Sequence, residues 1–197
     1  MGQRLVIELV DKGERVASIY YHWSAYFTST IAQLGLLSQD ILSAEENHED
    51  VLYSILKGLE ERGGMVRGFG LPEYENETKA ATELFPNHKF KTDGSRNEGL
   101  ISFTEQGFNN FMDWCEGYAQ IELDSHKIHN SVSYDGDMYL DFDYKPVGEN
   151  GEHGYISSVK SGTVHAGNLV CPVNAFELTC ESIFELGEFL GLTEHKE

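Results

Sequence analysis

The sequence predicts an α+β fold with a largely antiparallel sheet and about four helices. Segments with the two-residue period of strands and segments with the 3.6-residue period of helices both occur along the chain. They do not alternate regularly as the strands and helices of a parallel βαβ sheet would. The chain has 197 residues, of which 40% are hydrophobic, which suits one core. A single domain over residues 1–197 is therefore expected.

The first elements predicted are a β-hairpin and two helices. In residues 5–21, apolar side chains alternate with others on both sides of Gly13, the pattern of two strands joined by a tight turn. A helix is expected next, ending near Leu42. The apolar stripe of residues 51–59 predicts a second helix, and Gly63 marks its end.

The rest of the chain predicts further short elements. Their order is a short helix from Thr78 to about Phe85, a strand in LISFT (100–104), a helix capped by Thr104, a hairpin over 119–134, a strand over 135–144 and a final helix over 174–192. Four side chains of the helix after Thr104 are expected to face inward: Phe108, Phe111, Met112 and Cys115.

The charge is strongly acidic and unevenly distributed. The formal net charge is −19, from 33 acidic and 14 basic residues. Residues 1–96 carry 15 acidic and 10 basic residues, a net charge of −5, whereas residues 97–197 carry 18 and 4, a net charge of −14. Such a field repels nucleic acid and anionic membranes and attracts basic partners. Solubility alone is the alternative interpretation.

Compartment and partners follow from the same composition. No apolar run reaches the length of about 18 residues that a membrane span needs, and charged residues interrupt the start of the chain where a signal peptide is apolar. The three cysteines, Cys115, Cys171 and Cys180, are too few for a disulfide framework and are expected to be reduced thiols. We therefore expect a cytoplasmic protein with no membrane contact and no direct contact with nucleic acid. Its oligomeric state is left open.

A row of aspartates forms the first candidate site. In SYDGDMYLDFDY (133–144), every second residue of one predicted strand face is Asp135, Asp137, Tyr139, Asp141 or Asp143. Side chains on one face of a strand repeat at about 6.8 Å, close to the spacing of phosphates along a nucleic-acid strand. This face is the predicted partner-binding surface, and an acidic face that is merely hydrated is the alternative.

Two polar and aromatic segments form a second, alternative candidate. YYHWSAY (20–26) offers rings for stacking, and SRNEG (95–99) offers a guanidinium for an anion. The predicted ligand-binding residues are Tyr21, His22, Trp23, Tyr26, Arg96, Asn97 and Glu98. The alternatives are a packed aromatic junction and a hydrated turn.

No catalytic motif is found in the chain. His126 and His129 lack the further ligands of a zinc site, the aspartate row does not fit a calcium-binding loop, and the chain contains neither a nucleophile elbow nor a P-loop. No catalytic residue, metal or cofactor is predicted. An enzyme is left open, with a non-catalytic protein favoured.

The segments RLVIELV, VASIYYHWSAYFTST and SRNEGLISFTE resemble uncharacterised small acidic proteins of bacteriophages and prophages of Gram-positive bacteria. The resemblance covers about residues 3–130. It implies a phage origin, and phages carry small acidic proteins that block host nucleic-acid-binding machinery. We therefore expect the protein to inhibit a basic host protein, for instance a nucleic-acid-binding immune effector. It would do so by mimicking nucleic acid, in an anti-CRISPR-like or other counter-defence role. The alternative is an enzyme or a protein that binds a small, nucleotide-like ligand.

Overall fold

The computed structural model describes residues 4–25, 27–131, 163–166, 169–172 and 179–189. The strands are β1 (Leu5–Asp11), β2 (Glu14–Tyr21), β3 (Met65–Val66), β4 (Leu100–Ser102), β5 (Gly117–Glu122), β6 (Ile128–Ser131), β7 (Thr163–Ala166) and β8 (Leu169–Pro172). The helices are α1 (Phe27–Glu46), α2 (Val51–Glu61), α3 (Glu75–Leu84), α4 (Glu105–Met112) and α5 (Cys180–Phe189), and a 3-10 turn at Pro72–Tyr74 precedes α3.

The predicted hairpin at the start of the chain is confirmed. β1 and β2 pair antiparallel from Leu5 opposite Tyr21 to Asp11 opposite Glu14. The two residues between them, Lys12 and Gly13, have φ values of 51° and 83°. Two positive φ values in a two-residue loop suit the right-handed twist of the flanking strands.

The main sheet has six strands in the order β3-β4-β2-β1-β5-β6. Strands β1 and β5 are parallel, as are β3 and β4, and the other neighbours in this sheet are antiparallel. Strands β7 and β8 form a separate antiparallel pair. The predicted α+β class with a mainly antiparallel sheet is confirmed, although the two parallel pairings were not foreseen.

One edge of this sheet gathers the ends of several strands. Because β1, β3, β4 and β5 run in one direction and β2 runs against them, the starts of those four strands lie beside the end of β2. The residues just outside the strands at this edge include Arg4, His22, Gly99 and Glu116. Residues far apart in sequence are thereby brought to one edge.

The core lies between one face of the sheet and helices α1, α2 and α5. From the sheet it takes alternate residues of β1 (Leu5, Ile7 and Leu9) and of β2 (Ala17, Ile19 and Tyr21). From α1 it takes Ile31, Leu34, Leu37 and Ile41. Burying each such Leu or Ile side chain contributes roughly 1.5–3 kcal/mol, so this face fixes the register of the sheet.

The helices agree with the predictions except at their ends and in one buried face. Helix α1 runs on to Glu46, four residues past the expected end at Leu42, and α3 begins before Thr78. The Thr104 side chain accepts a hydrogen bond from Gly107 N–H and caps α4, as predicted. The inward orientation predicted for Met112 is wrong, since this side chain is 37% exposed at the end of α4.

The prediction of reduced thiols is confirmed for the two cysteines whose side chains the structure describes. Cys115 is a half-buried thiol and Cys180 a fully buried one. Within the described parts of the chain, the longest and most apolar helices still fall short of what crossing a membrane requires.

Candidate functional site

The structure describes most of one candidate site and none of the other. Asp135, Asp137, Tyr139, Asp141 and Asp143 all lie outside the described residues. The ligand-binding candidate lies within them, apart from Tyr26.

The YYHWSAY and SRNEG segments meet in the fold. The backbone N–H of His22 donates a hydrogen bond of 3.0 Å to the carbonyl oxygen of Arg96. This contact lies just beyond the paired residues of β2 and β4 and outside their register, in which Tyr20 lies opposite Leu100. The turn before β4 therefore places the Arg96 backbone beside His22, although the two residues are far apart in the sequence.

A tight turn holds Arg96 in this position. The carbonyl of Ser95 accepts hydrogen bonds from the N–H groups of Glu98 and Gly99, both at 3.1 Å. The N–H of Ser95 donates to the carbonyl of Gly63 at 2.8 Å, which ties the turn to the end of α2. Gly99 has a φ of 118°, and a Cβ there would lie 2.6 Å from Leu59 and 2.8 Å from the Tyr21 ring. Only glycine fits this turn without displacing the core.

Several side chains form one aromatic and cationic surface at this edge of the sheet. We define the His22 surface as Arg4, Tyr20, His22, Trp23, Arg96 and Trp114. The His22 and Trp23 rings meet edge to face at 5.1 Å between centroids, and the Arg4 guanidinium lies 5.3 Å from the centre of the Trp114 ring. Trp23 is 47% exposed and Trp114 is 64% exposed, so both indoles are accessible to a ligand.

Tyr20 connects Arg4 to His22. The Tyr20 hydroxyl lies 2.8 Å from Nδ1 of His22, and the positive charge of Arg4 lies close enough to act on the pKa of Tyr20. Burial raises the pKa of Tyr20 and outweighs the opposing effect of Arg4, so the phenol keeps its proton. A protonated phenol can donate its proton to Nδ1 or accept one from Nδ1–H, because a hydroxyl is both a donor and an acceptor. When the phenol is the donor, neutral His22 carries its ring proton on Nε2.

The side chains that define this surface include two guanidinium groups, of which one is paired with a carboxylate. Burial, then the nearby Arg96 and Arg4 charges, lower the pKa of His22, so its imidazole is neutral at pH 7. Arg4 shares its charge with Glu116 at 3.8 Å. Arg96 is exposed and forms no ion pair with any residue that the structure describes. Its guanidinium is thus free to bind an anion.

Part of the sequence-based assignment needs correction. Tyr21 does not belong to the surface, because its side chain is fully buried in the core and burial strongly raises its pKa. The neighbouring Tyr20 takes its place, since successive side chains of a strand point to opposite faces. Asn97 and Glu98 are exposed in the turn beside Arg96.

Three residues of the His22 surface were not predicted from the sequence, namely Arg4, Tyr20 and Trp114. The alternation of β2 could have identified Tyr20, because Ala17, Ile19 and Tyr21 share the apolar face. Arg4 and Trp114 carry no local signal, since only the pairing of β1 with β2 and the position of α4 bring them to this edge.

Two other histidines contact carboxylates of neighbouring elements. His126 lies between Glu181, 2.7 Å from Nδ1, and Glu45, 2.9 Å from Nε2, and so ties α5 to α1. His88 bonds the buried Glu60 at 2.7 Å and joins the loop after α3 to α2. No group of three or more His, Cys, Asp or Glu side chains in the described residues has the arrangement of a metal site. These histidines act as structural links.

The His22 surface can act chemically as a cationic stacking platform. It offers two accessible indole rings, the Arg96 guanidinium, which is unpaired among the described residues, and the His22 ring. This combination suits a planar ring that carries an anionic group.

Comparisons of the chain with models of protein families, with curated proteins and with solved structures found no match.

Proposed function

We propose that the protein binds a small anionic ligand of the nucleotide class at the His22 surface. The observation that carries this proposal is the juxtaposition of Arg96, unpaired among the described residues, with the exposed Trp23 ring and the neutral His22. A nucleotide combines a planar base with phosphate oxygens that only accept hydrogen bonds. Both parts match what these side chains offer.

Stacking supplies the first part of the recognition. An aromatic side chain that stacks on a nucleic-acid base contributes about 1–3 kcal/mol. Trp23 and Trp114 are large rings with much of their surface in water, which is uncommon for tryptophan in a protein without a partner. A base lying on one of these rings would remove apolar surface from water on both sides.

Electrostatics supplies the second part. Most polar groups of the surface donate hydrogen bonds, namely the two guanidinium groups and the indole N–H groups. The net charge of −19 repels anions at long range. An anion would therefore bind here through short-range contacts, with Arg96 as the strongest.

A thermal-shift screen against a panel of nucleotides tests the proposal. We expect at least one mononucleotide or dinucleotide to raise the melting temperature of the wild type. This thermal shift should disappear in Arg96→Ala. In Trp23→Ala, the affinity for the same nucleotide should fall by about tenfold. Lys89→Ala, which removes an exposed cation that does not belong to the His22 surface, should bind like the wild type. A panel without any stabilising nucleotide, or binding that survives in Arg96→Ala, would contradict the proposal.

A second candidate function rests on the charge. The 18 acidic and 4 basic residues of 97–197 favour an acidic interaction protein that binds a basic partner. In this proposal the protein is phage-encoded, acts in the host cytoplasm and inhibits a nucleic-acid-binding host protein by presenting the carboxylates of Asp135, Asp137, Asp141 and Asp143 in place of phosphates. The partner is then a basic immune effector, and no cofactor is needed.

Capture of partners from a bacterial host lysate at low and high salt tests this second candidate. A basic nucleic-acid-binding protein should be retained at low salt and lost at high salt, because exposed charge pairs are screened. The double variant Asp141→Lys/Asp143→Lys should slow association with that partner and leave the melting temperature nearly unchanged. Retention that is insensitive to salt would count against the acidic face as the binding surface.

A further inference from the structure

A cleft on another part of the molecule is lined by polar side chains of both charges. It has a volume of about 360 Å³ and lies between the segment that leads into α3 and the helix α4. Arg67 and the residues from Pro72 to Glu77 line one side, and Thr104, Gln106 and Asn110 line the other. This volume is in the range of small-molecule sites.

The Arg67 side chain is held in place without using the N–H donors of its guanidinium group. Its guanidinium lies 4.5 Å from the centre of the Tyr74 ring and 5.7 Å from that of Phe111. Its backbone N–H donates to the carbonyl of Ile101 at 2.8 Å. No carboxylate of the described residues forms an ion pair with it. The cation is thus fixed by ring faces, and its planar fork stays available.

Glu77 forms no ion pair with Arg67, and its carboxylate accepts hydrogen bonds from three other groups. Oε1 accepts the N–H of Phe103 at 2.6 Å, and Oε2 accepts the hydroxyls of Ser102 at 2.6 Å and Thr104 at 2.9 Å. The side chain is 2% exposed. Glu77 therefore joins α3 rigidly to the start of α4 and forms a fixed wall of the cleft.

The remaining polar groups of the cleft make no hydrogen bonds to the described parts of the protein. They are the exposed carboxylates of Glu73 and Glu75 and the side-chain amides of Asn76, Gln106 and Asn110. A cation and two carboxylates thus face one space without pairing with each other. A ligand that carries both charges would satisfy them together.

We propose that the Arg67 cleft is a binding site for a small zwitterion of the α-amino acid class. Arg67 would receive the carboxylate in a bidentate contact, and Glu73 or Glu75 would receive the ammonium group. The side-chain amides would bond the polar atoms of the ligand. The site is distinct from the His22 surface, from which the buried Phe111 ring separates it, since Tyr20 stacks on that ring at 5.3 Å between centroids.

Titration of the full chain with the twenty standard amino acids, followed by amide NMR and by thermal shift, tests this site. At about 10 mM, above the dissociation constants of weak small-molecule sites, at least one amino acid should give saturable shifts in residues 72–77 and 104–110. The amide form of that amino acid, without the carboxylate, and its N-acetyl form, without the ammonium group, should each bind at least about tenfold more weakly.

Matched variants separate binding from folding. Arg67→Met keeps the apolar stem and should abolish the saturable shifts, whereas Arg67→Lys should retain part of the affinity because the charge remains. Glu83→Gln, at an exposed position of α3 outside the cleft, should bind like the wild type. If no amino acid gives saturable shifts, or if a well-folded Arg67→Met binds as the wild type does, the proposal is wrong. Loss of nucleotide binding in Arg96→Ala bears only on the His22 surface.

Discussion

The Tyr20 hydroxyl lies 2.8 Å from Nδ1 of His22, within hydrogen-bond distance. We predict that the phenol is the donor in this contact, which leaves the proton of neutral His22 on Nε2. Tyr20→Phe removes the donor and keeps the ring that stacks on Phe111. We expect the ¹⁵N shifts of His22 to report a single Nε2–H tautomer in the wild type and a mixture in Tyr20→Phe. Identical ¹⁵N shifts in both proteins would show that Tyr20 does not set the tautomer.

The protonation of His22 should respond to Arg96. Burial, Arg96 and Arg4 all lower the pKa of His22, so an NMR titration should place its midpoint below the usual value of about 6.5. In Arg96→Ala the midpoint should rise, because one nearby positive charge is lost, but only part of the way, because burial remains. Lys89→Ala should leave the midpoint unchanged. A midpoint that does not move in Arg96→Ala would mean that the guanidinium lies too far from the ring to bind the same ligand.

The turn that carries Arg96 depends on Gly99. Gly99→Ala combines an unfavourable positive φ, which costs about 1–2 kcal/mol, with a Cβ only 2.6 Å from Leu59. We expect a loss of about 3 kcal/mol in the free energy of unfolding, measured by urea denaturation. Gly70→Ala is the matched control, since Gly70 has a φ of 80° but nothing within 4 Å of a Cβ, and it should lose only about 1 kcal/mol. Equal losses in the two variants would contradict the close packing around Gly99.

The tie between α1 and α5 should depend on pH. Partial burial by itself would lower the pKa of His126, but hydrogen bonds and charge from Glu45 and Glu181 outweigh it and raise the pKa. A raised folded-state pKa gives stability that is fully present below the unfolded value of about 6.5 and is lost as pH rises through the folded value. The same contact lowers the pKa of Glu181, so its carboxylate is ionised at about pH 5.5.

His126→Asn tests this pH dependence, because asparagine tolerates the φ of 58° at this position. The stability lost in the variant, measured by urea denaturation, should be larger at about pH 5.5 than at about pH 9, by about 1 kcal/mol or less for such partly exposed pairs. His129→Asn, which breaks the exposed pair with Glu122 between β5 and β6, is the control and should leave the contact between α1 and α5 intact. The same loss at both pH values in His126→Asn would mean that the imidazolium does not hold the two helices together.

The local elements could be predicted from the sequence for direct physical reasons. The Lys12-Gly13 turn, the Thr104 cap and the stop at Gly63 depend on residues next to them in the chain, so their chemistry is visible without a fold. The apolar periods of β1, β2 and α2 have the same local origin. Helix ends were less accurate, since α1 continues past Leu42 while its apolar stripe still finds a partner in α5.

The candidate site follows only from the sequence and the tertiary structure taken together. The sequence by itself determined that the molecule is acidic, that it forms a mixed α+β fold and that YYHWSAY and SRNEG are richer in functional side chains than a core requires. The tertiary structure alone decided that these segments touch, that Tyr20 faces outward while Tyr21 is buried, and that Arg4 and Trp114 join them. The physical reason is that contacts across a sheet follow from strand order and register, which the packing of the whole core selects and no short segment encodes.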